Sequence, residues 1–208
     1  SLKSASEIIS ETEDQDKREK LVKILAHDVE RIERLITDYS QMLKDEVALS
    51  TEKMNKIDLI SIVQSVVDDF NNIYIEKRGI KTELITDNYI KEFKILGIEN
   101  RIEQILANLL ENAISFSRDN QKIIVEVKKN QNDQVVLRVI DQGQGFREKK
   151  LNKIFDRFYS NRPDKFGEHS GLGLNIVKNL VELHGGVIAA SNNTDQRGAR
   201  IEIAFPKV

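Results

Sequence analysis

From Asp16 to about Lys53 the chain carries neither proline nor glycine. Leu21, Leu25, Ile32, Leu35, Tyr39 and Met42 recur there at spacings of about 3.5 residues, the helical repeat. Val22, Val29, Ile36 and Leu43 flank them and widen the apolar stripe, while charged residues fill the opposite face. Such a segment is restricted to one long amphipathic helix. It cannot bury its stripe alone and needs partner helices, as in a bundle. Residues 1–9 read as the tail of a preceding helix, and the polar Glu11-Thr-Glu-Asp-Gln-Asp16 stretch as the hairpin loop between the two. The chain starts without Met inside polar, helix-forming sequence, so it is expected to be a fragment of a longer protein.

Composition shifts near Asn55. A short strand is expected at Ile57, then an amphipathic helix over 59–77 that Gly79 ends. Strand-like runs follow at 80–86 and 93–96, a helix at 98–116, and two alternating runs at 123–128 and 135–140 joined by the turn residues Asn130-Gln-Asn-Asp133. Residues 142–170 are irregular and charged, a long loop of the kind that is usually either functional or disordered. A helix over 172–184 closes on Gly185-Gly186, and strands at 187–191 and 199–205 finish the chain. The predicted class is α+β: a two-layer α/β sandwich with a mixed sheet and helices on one face, preceded by a long helix of a helical hairpin. The expected division is 1–54 for the truncated hairpin (the end of its first helix and all of its second) and 55–208 for the sandwich.

Composition narrows the functional classes. The 208 residues carry a net charge of −2, so no global field draws the chain to nucleic acid or to an anionic membrane. The absence of cysteine excludes a disulfide scaffold and thiolate metal sites. No apolar run approaches the ~20 residues of a membrane span.

Four stretches combine into one chemistry. Asn108 and Asn112 lie four apart on the predicted 98–116 helix, so both amides project from one face, with Gln104 a turn earlier. An amide oxygen is a hard, neutral ligand suited to Mg²⁺. Asp141 ends a predicted strand, where its carboxylate can accept from an exocyclic amine such as adenine N6. Gly143 and Gly145 let a flat base approach the backbone. Gly171 and Gly173 precede a helix and expose amides to an anion at its N-terminus, with Leu172 between them and Ser170 as the expected N-cap. Phe155 and Phe158 can pin the mobile loop, or fill a short helix's core. Lys149, Lys150, Lys153, Arg157, Arg162 and Lys165 make that loop basic, and His169 adjoins its glycines. His184 reads as a helix C-terminal residue favoured by the dipole.

These residues resemble the catalytic and ATP-binding domain of bacterial sensor histidine kinases, in the GHKL ATPase superfamily. Asn108–Asn112 matches that family's N box, Asp141–Gly145 its G1 box, Phe155–Phe158 its F box, Ser170–Leu174 its G2 box, and Arg197-Gly-Ala-Arg200 a weak G3 box. Asn112-Ala-Ile-Ser-Phe-Ser117, Arg157-Phe-Tyr-Ser-Asn-Arg-Pro163 and His169-Ser-Gly-Leu-Gly-Leu174 look most like the ChvG-type kinases of alphaproteobacteria. The resemblance implies that Asn112 ligates Mg²⁺ and Asn108 assists with metal or phosphate. It implies that Asp141 reads adenine N6, that Gly143 and Gly145 shape the adenine pocket, that Gly171 and Gly173 bind phosphate at the helix start, and that residues 146–170 form an ATP lid. Ser115 departs from the pattern, because many relatives carry Lys or Arg there.

ATP-hydrolysing relatives carry a water-activating Glu four residues before the metal Asn. Here that position is Asn108, and Glu111 points about 100° away from Asn112, so slow hydrolysis is expected. His27 does not suit a phosphoacceptor: Arg31 and Ile32 stand where the family's box requires other residues, and only one helix remains after it. The acceptor is expected upstream of Ser1. The implied function is the kinase portion of a sensor histidine kinase, moving the γ-phosphoryl of ATP to a His and on to an Asp of a response regulator. The fragment is expected to be cytoplasmic, the parent to be a homodimer in the bacterial inner membrane. A degenerate docking module and a GHKL-type ATPase are the rival readings.

Overall fold

A computed structural model of the chain describes residues 14–49, 52–87, 92–148, 150–159, 171–194 and 197–208. They form two compact units, one of residues up to 49 and the other from Glu52 onward. The predicted helix tail at 1–9 lies outside the described residues, as does the first half of the expected hairpin loop, whose last two residues, Gln15 and Asp16, already belong to the helix that follows.

The first unit is α1, Gln15–Leu49, about 52 Å long at 1.5 Å per residue. Asp14 starts it: its Oδ1 accepts from the N–H groups of Asp16 and Lys17. Val22, Ile24, Val29, Ile32, Ile36 and Tyr39 are exposed along it. His27 falls on this helix, and its side chain lies outside what is described.

In the second unit, β1 (Asn55–Asp58) leads into α2 (Leu59–Arg78). Asp58 caps α2 by accepting from the Ile60 N–H and the Ser61 hydroxyl. Gly79 ends the helix in the left-handed region, at φ 63°, with its N–H donating to the Ile75 carbonyl. There follow β2 (Lys81–Thr86), β3 (Lys94–Gly97), α3 (Glu99–Phe116), β4 (Lys122–Lys129), β5 (Val135–Ile140), a 3₁₀ turn (Leu151–Phe155), α4 (Gly173–Leu183), β6 (Val187–Asn192) and β7 (Ala199–Phe205).

The main sheet has the order β2-β4-β5-β7-β6. Only β2 and β4 pair in parallel; the other neighbours are antiparallel, so the sheet is mixed as expected. The segments at Ile57 and 93–96 do not join it. They pair with each other as a separate two-stranded ribbon, β1 with β3.

Alternation along the strands sorts the two sheet faces. Ile123, Val125 and Val127 of β4, Leu137 and Val139 of β5, and Ile203 and Phe205 of β7 are buried against Ile102, Ile105, Leu106, Leu109 and Leu110 of α3 and Val177, Leu180 and Val181 of α4. Each fully buried side chain of this kind stabilises the fold by about 1.5–3 kcal/mol relative to exposure. The opposite face carries charge. Arg138 on β5 donates through Nη1 to Glu126 on β4 at 2.9 Å and through Nε to Glu202 on β7. The helices therefore lie on one side, and α3 and α4 together bring the candidate site to the edge of that layer.

Candidate functional site

Asn108 and Asn112 are half-buried on α3, on the face that meets the start of α4. A Cβ built on Gly173 would lie 3.1 Å from Asn108 Oδ1 and 3.7 Å from Asn112 Nδ2. The first residue of α4 is thus seated on the two amides, and any side chain there would fill the gap between them. Asn108 turns its Nδ2 back onto its own helix, donating to the Gln104 carbonyl at 2.9 Å, which leaves Oδ1 toward α4. Gln104 itself accepts from Arg101 Nη1 at 3.2 Å, and Arg101 pairs with Glu52.

The start of α4 differs from expectation. The capping position is Leu172, with φ −97° and ψ −23° and no side-chain hydrogen bond to the helix. Leu172 is buried and its side chain has no oxygen to offer, so it does not cap the first turn's N–H groups, which also lack an intrahelical carbonyl. Those donors and the helix dipole make the end suited to an anion. Ser170, the expected N-cap, lies outside the described residues.

Asp141 stands at the C-terminal end of β5 and is 7 % exposed. Its Oδ1 accepts two backbone N–H groups, Gly143 at 2.8 Å and Ala199 at 3.0 Å; Oδ2 receives neither. Burial pushes the carboxyl above its usual range, and those two amides act the other way. The Asp141 main chain is strapped in place: its N–H donates to the Ala199 carbonyl, and its carbonyl accepts from Asn193 Nδ2 at 3.0 Å.

One helix joins the two halves. A Cβ on Gly143 would lie 2.6 Å from the Phe116 carbonyl, at the C-terminus of α3. Asn112 and Phe116 are one turn apart, about 6 Å along the axis. The amides against Gly173 and the carboxylate turn are therefore neighbours on a common element. Gly145 packs against Asn192, whose Oδ1 accepts from the Phe146 N–H at 2.6 Å while its Nδ2 donates to the Phe146 carbonyl at 2.9 Å.

The two phenylalanines part company. Phe155 is buried at the end of the 3₁₀ turn, and Asn175 Nδ2 on α4 donates to its carbonyl at 2.9 Å. Phe158, expected as a second pin, is 56 % exposed. The chain reverses there through a positive φ of 62°, and the ring leaves the core. Its backbone contributes instead: a Cβ on Gly171 would lie 2.9 Å from Phe158 C and from the Tyr159 carbonyl. Of the loop's basic residues, Lys150, Lys153 and Arg157 are exposed, and Lys149, Arg162, Lys165 and also His169 lie outside the described residues. Ser115 donates its hydroxyl to the Asn112 carbonyl at 2.8 Å.

His184 is where the sequence reading put it, at the end of α4, but not as a dipole-favoured cation. It is buried; the Ile98 N–H donates to its Nε2 at 3.1 Å, and its Nδ1–H donates to the Leu180 carbonyl at 2.7 Å. A nitrogen that accepts carries no proton, so the ring is neutral. Burial lowers its pKa, offset in part by the Leu180 carbonyl.

Sequence reasoning missed Asn175, Asn192, Asn193 and the Ala199 amide. The one available signal was Gly198 inside the Arg197-Gly-Ala-Arg200 stretch, whose neighbour binds Asp141.

The family described as histidine kinase-, DNA gyrase B- and HSP90-like ATPase matches residues 97–208. Sensor protein ChvG of Agrobacterium fabrum is 33% identical over 216 residues, covering 99% of this chain and 36% of that protein. The chain thus spans just over a third of the length of that relative. Among solved structures, the nucleotide-free catalytic domain of histidine kinase ThkA is similar at 27% identity with a TM-score of 0.64, covering 75% of this chain and 97% of that one. The same kinase in complex with response regulator protein TrrA is similar at 23% identity with a TM-score of 0.67, covering all of this chain and 59% of that one.

Proposed function

Because the chain belongs to the histidine kinase-, DNA gyrase B- and HSP90-like ATPase family, we propose that its sheet domain binds Mg-ATP as the kinase portion of a sensor histidine kinase. The observation that carries this reading is the seating of Gly173 on Asn108 and Asn112, with the same helix ending on Gly143. In this reading Asp141 Oδ2 accepts from adenine N6. Gly143 and Gly145 flank the base. The amides at the start of α4, around Gly171, Leu172 and Gly173, receive phosphate oxygens. Asn112, assisted by Asn108, offers hard oxygen ligands of the kind Mg²⁺ takes, and a bound Mg²⁺ neutralises charge on the transferring phosphoryl group.

What the chain's residues contribute is positioning. An amide at 108 cannot take a proton from water, and Glu111 is exposed on another face of α3. Water is therefore poorly activated, and ATP waits for a protein nucleophile. That nucleophile is a His outside residues 1–208, on the helical hairpin to which residues 1–54 belong. Residues 55–208 are the catalytic domain.

The phosphoryl group then passes to an Asp of a response regulator, a reading supported by the neighbour found with such a partner. The exposed apolar residues of α1 support homodimerisation through a helical bundle. No helix among the described residues is long and apolar enough to cross a membrane, which suits a cytoplasmic portion of an inner-membrane parent.

The test is γ-labelled ATP, with and without an added hairpin bearing an acceptor His. Acid-labile, base-stable label is expected on the added hairpin and not on this chain. Label on this chain would place the acceptor inside it. Binding of Mg-ATP without transfer to any hairpin would favour a docking module, steady phosphate release would favour an ATPase, and no binding at all would end the nucleotide reading.

A further inference from the structure

The helices α3 and α4 pack antiparallel along their length, with a defined contact at each end of the shared span. At one end Gly173 sits on Asn108 and Asn112; at the other, the Ile98 N–H donates to His184 Nε2 at 3.1 Å. The two spans match. Ile98 to Asn108 is ten residue steps and Gly173 to His184 is eleven, so the spans are about 15 and 16.5 Å. A slide of one helix along the other would break both contacts together.

The His184 end is built for a fixed fit. The ring is 4 % exposed and its second nitrogen is committed to Leu180 on its own helix. Gly97 makes the room for it: a Cβ there would lie 3.0 Å from His184 Cδ2 and 3.1 Å from Ile57 Cδ1. The bond also satisfies the N–H of Ile98, whose side chain cannot cap α3.

We infer that His184 is a positioning residue for the phosphate and metal half of the site, holding the register of α4 against α3 so that Gly173 stays opposite Asn108 and Asn112. The adenine half depends on a different set of contacts, the strap of Asp141 to Gly143 and Ala199 on β5 and β7. The inference rests on the nucleotide reading above and predicts that the two halves respond differently to changes at His184.

Calorimetry with two ligands, Mg-ATP and adenosine, reads the halves separately. In His184→Gln the longer amide puts an oxygen near the Nε2 position and still accepts from Ile98. His184→Asn keeps only the Leu180 bond. The expected outcome is that H184N weakens Mg-ATP about tenfold while adenosine and H184Q stay within about twofold of wild type. Should H184N not fold, Gly97→Ala, which presses on the ring from the other side, carries the same expectation. Unchanged Mg-ATP affinity in H184N, or in G97A where H184N cannot be used, overturns the positioning role. So does a parallel loss for both ligands, which marks general loosening. If wild type binds neither ligand, the nucleotide reading itself falls, an outcome distinct from either.

Discussion

Gly198 lies so close to Asp141 that a Cβ on it would stand 1.9 Å from the Asp141 carbonyl oxygen. Its φ of 137° is also one that other residues resist. This contact lets the Ala199 amide reach the Asp141 carboxylate across the sheet edge. Gly198→Ala must push β7 away from β5 at that point. The expected cost is about 1–3 kcal/mol or more, as for overpacking, together with weakened adenosine binding. Urea unfolding and calorimetry on the same preparation check both, and an unchanged urea midpoint would count against the strap.

Asp141→Asn separates binding from stability. The folded carboxyl titrates above its unfolded value because it is buried. Stability from such a group is fully present below the unfolded pKa and is lost as pH rises through the folded one. At neutral pH the buried charge is thus a net cost. The substitution is expected to leave the urea midpoint at pH 7 equal or higher, while turning an acceptor toward adenine into a donor and weakening adenosine about 10–100-fold. A variant that binds adenosine normally would remove Asp141 from the adenine role.

His184 predicts the opposite sign in acid. Its folded pKa lies below the unfolded value of about 6.5, so its contribution is present above that pH and is lost as pH falls through 6.5 toward the folded value. Unfolding free energies from denaturant titration should decline from pH 7.5 to 5.5 by at most about 1.4 kcal/mol per pH unit for this one proton. His184→Gln should show a shallower decline. Identical slopes for the two proteins would mean the ring is not protonated on unfolding in this window.

Asn192 clips the root of the predicted lid. Its two hydrogen bonds to the Phe146 backbone imitate a strand pairing. Asn192→Ala should speed hydrogen exchange at the Phe146 amide roughly fivefold, as expected for about 1 kcal/mol of local opening. Global stability should hardly change. Unaltered exchange at that amide is the result that would refute the clip.

Asn112→Ala should abolish the Mg²⁺ dependence of nucleotide binding. Titration of ATP with and without Mg²⁺ measures it, and equal affinity to wild type in Mg²⁺ would exclude Asn112 from the metal role.

Local rules made much of the molecule legible. The proline- and glycine-free stretch from Asp16 is a helix as read, although it runs to Leu49 and Glu52–Met54 are no longer helical; Gly79 ends α2 as a left-handed cap, and Val135–Ile140 alternates as the strand it is. The residue types of the site were legible too, because amides four apart, an Asp after a strand and glycines before a helix each state their chemistry within a few positions. What the folded chain alone decided are contacts between residues remote in sequence. Ile98 and His184 are 86 residues apart, and that bond makes a helix-end histidine neutral. Phe146 and Asn192 are 46 apart. Pairing with each other keeps β1 and β3 out of the main sheet, and a reversed backbone turns Phe158 outward. Periodicity and turn preference act over one or two helical turns, whereas burial and partner choice are set by which surfaces meet once the sheet and helices have packed.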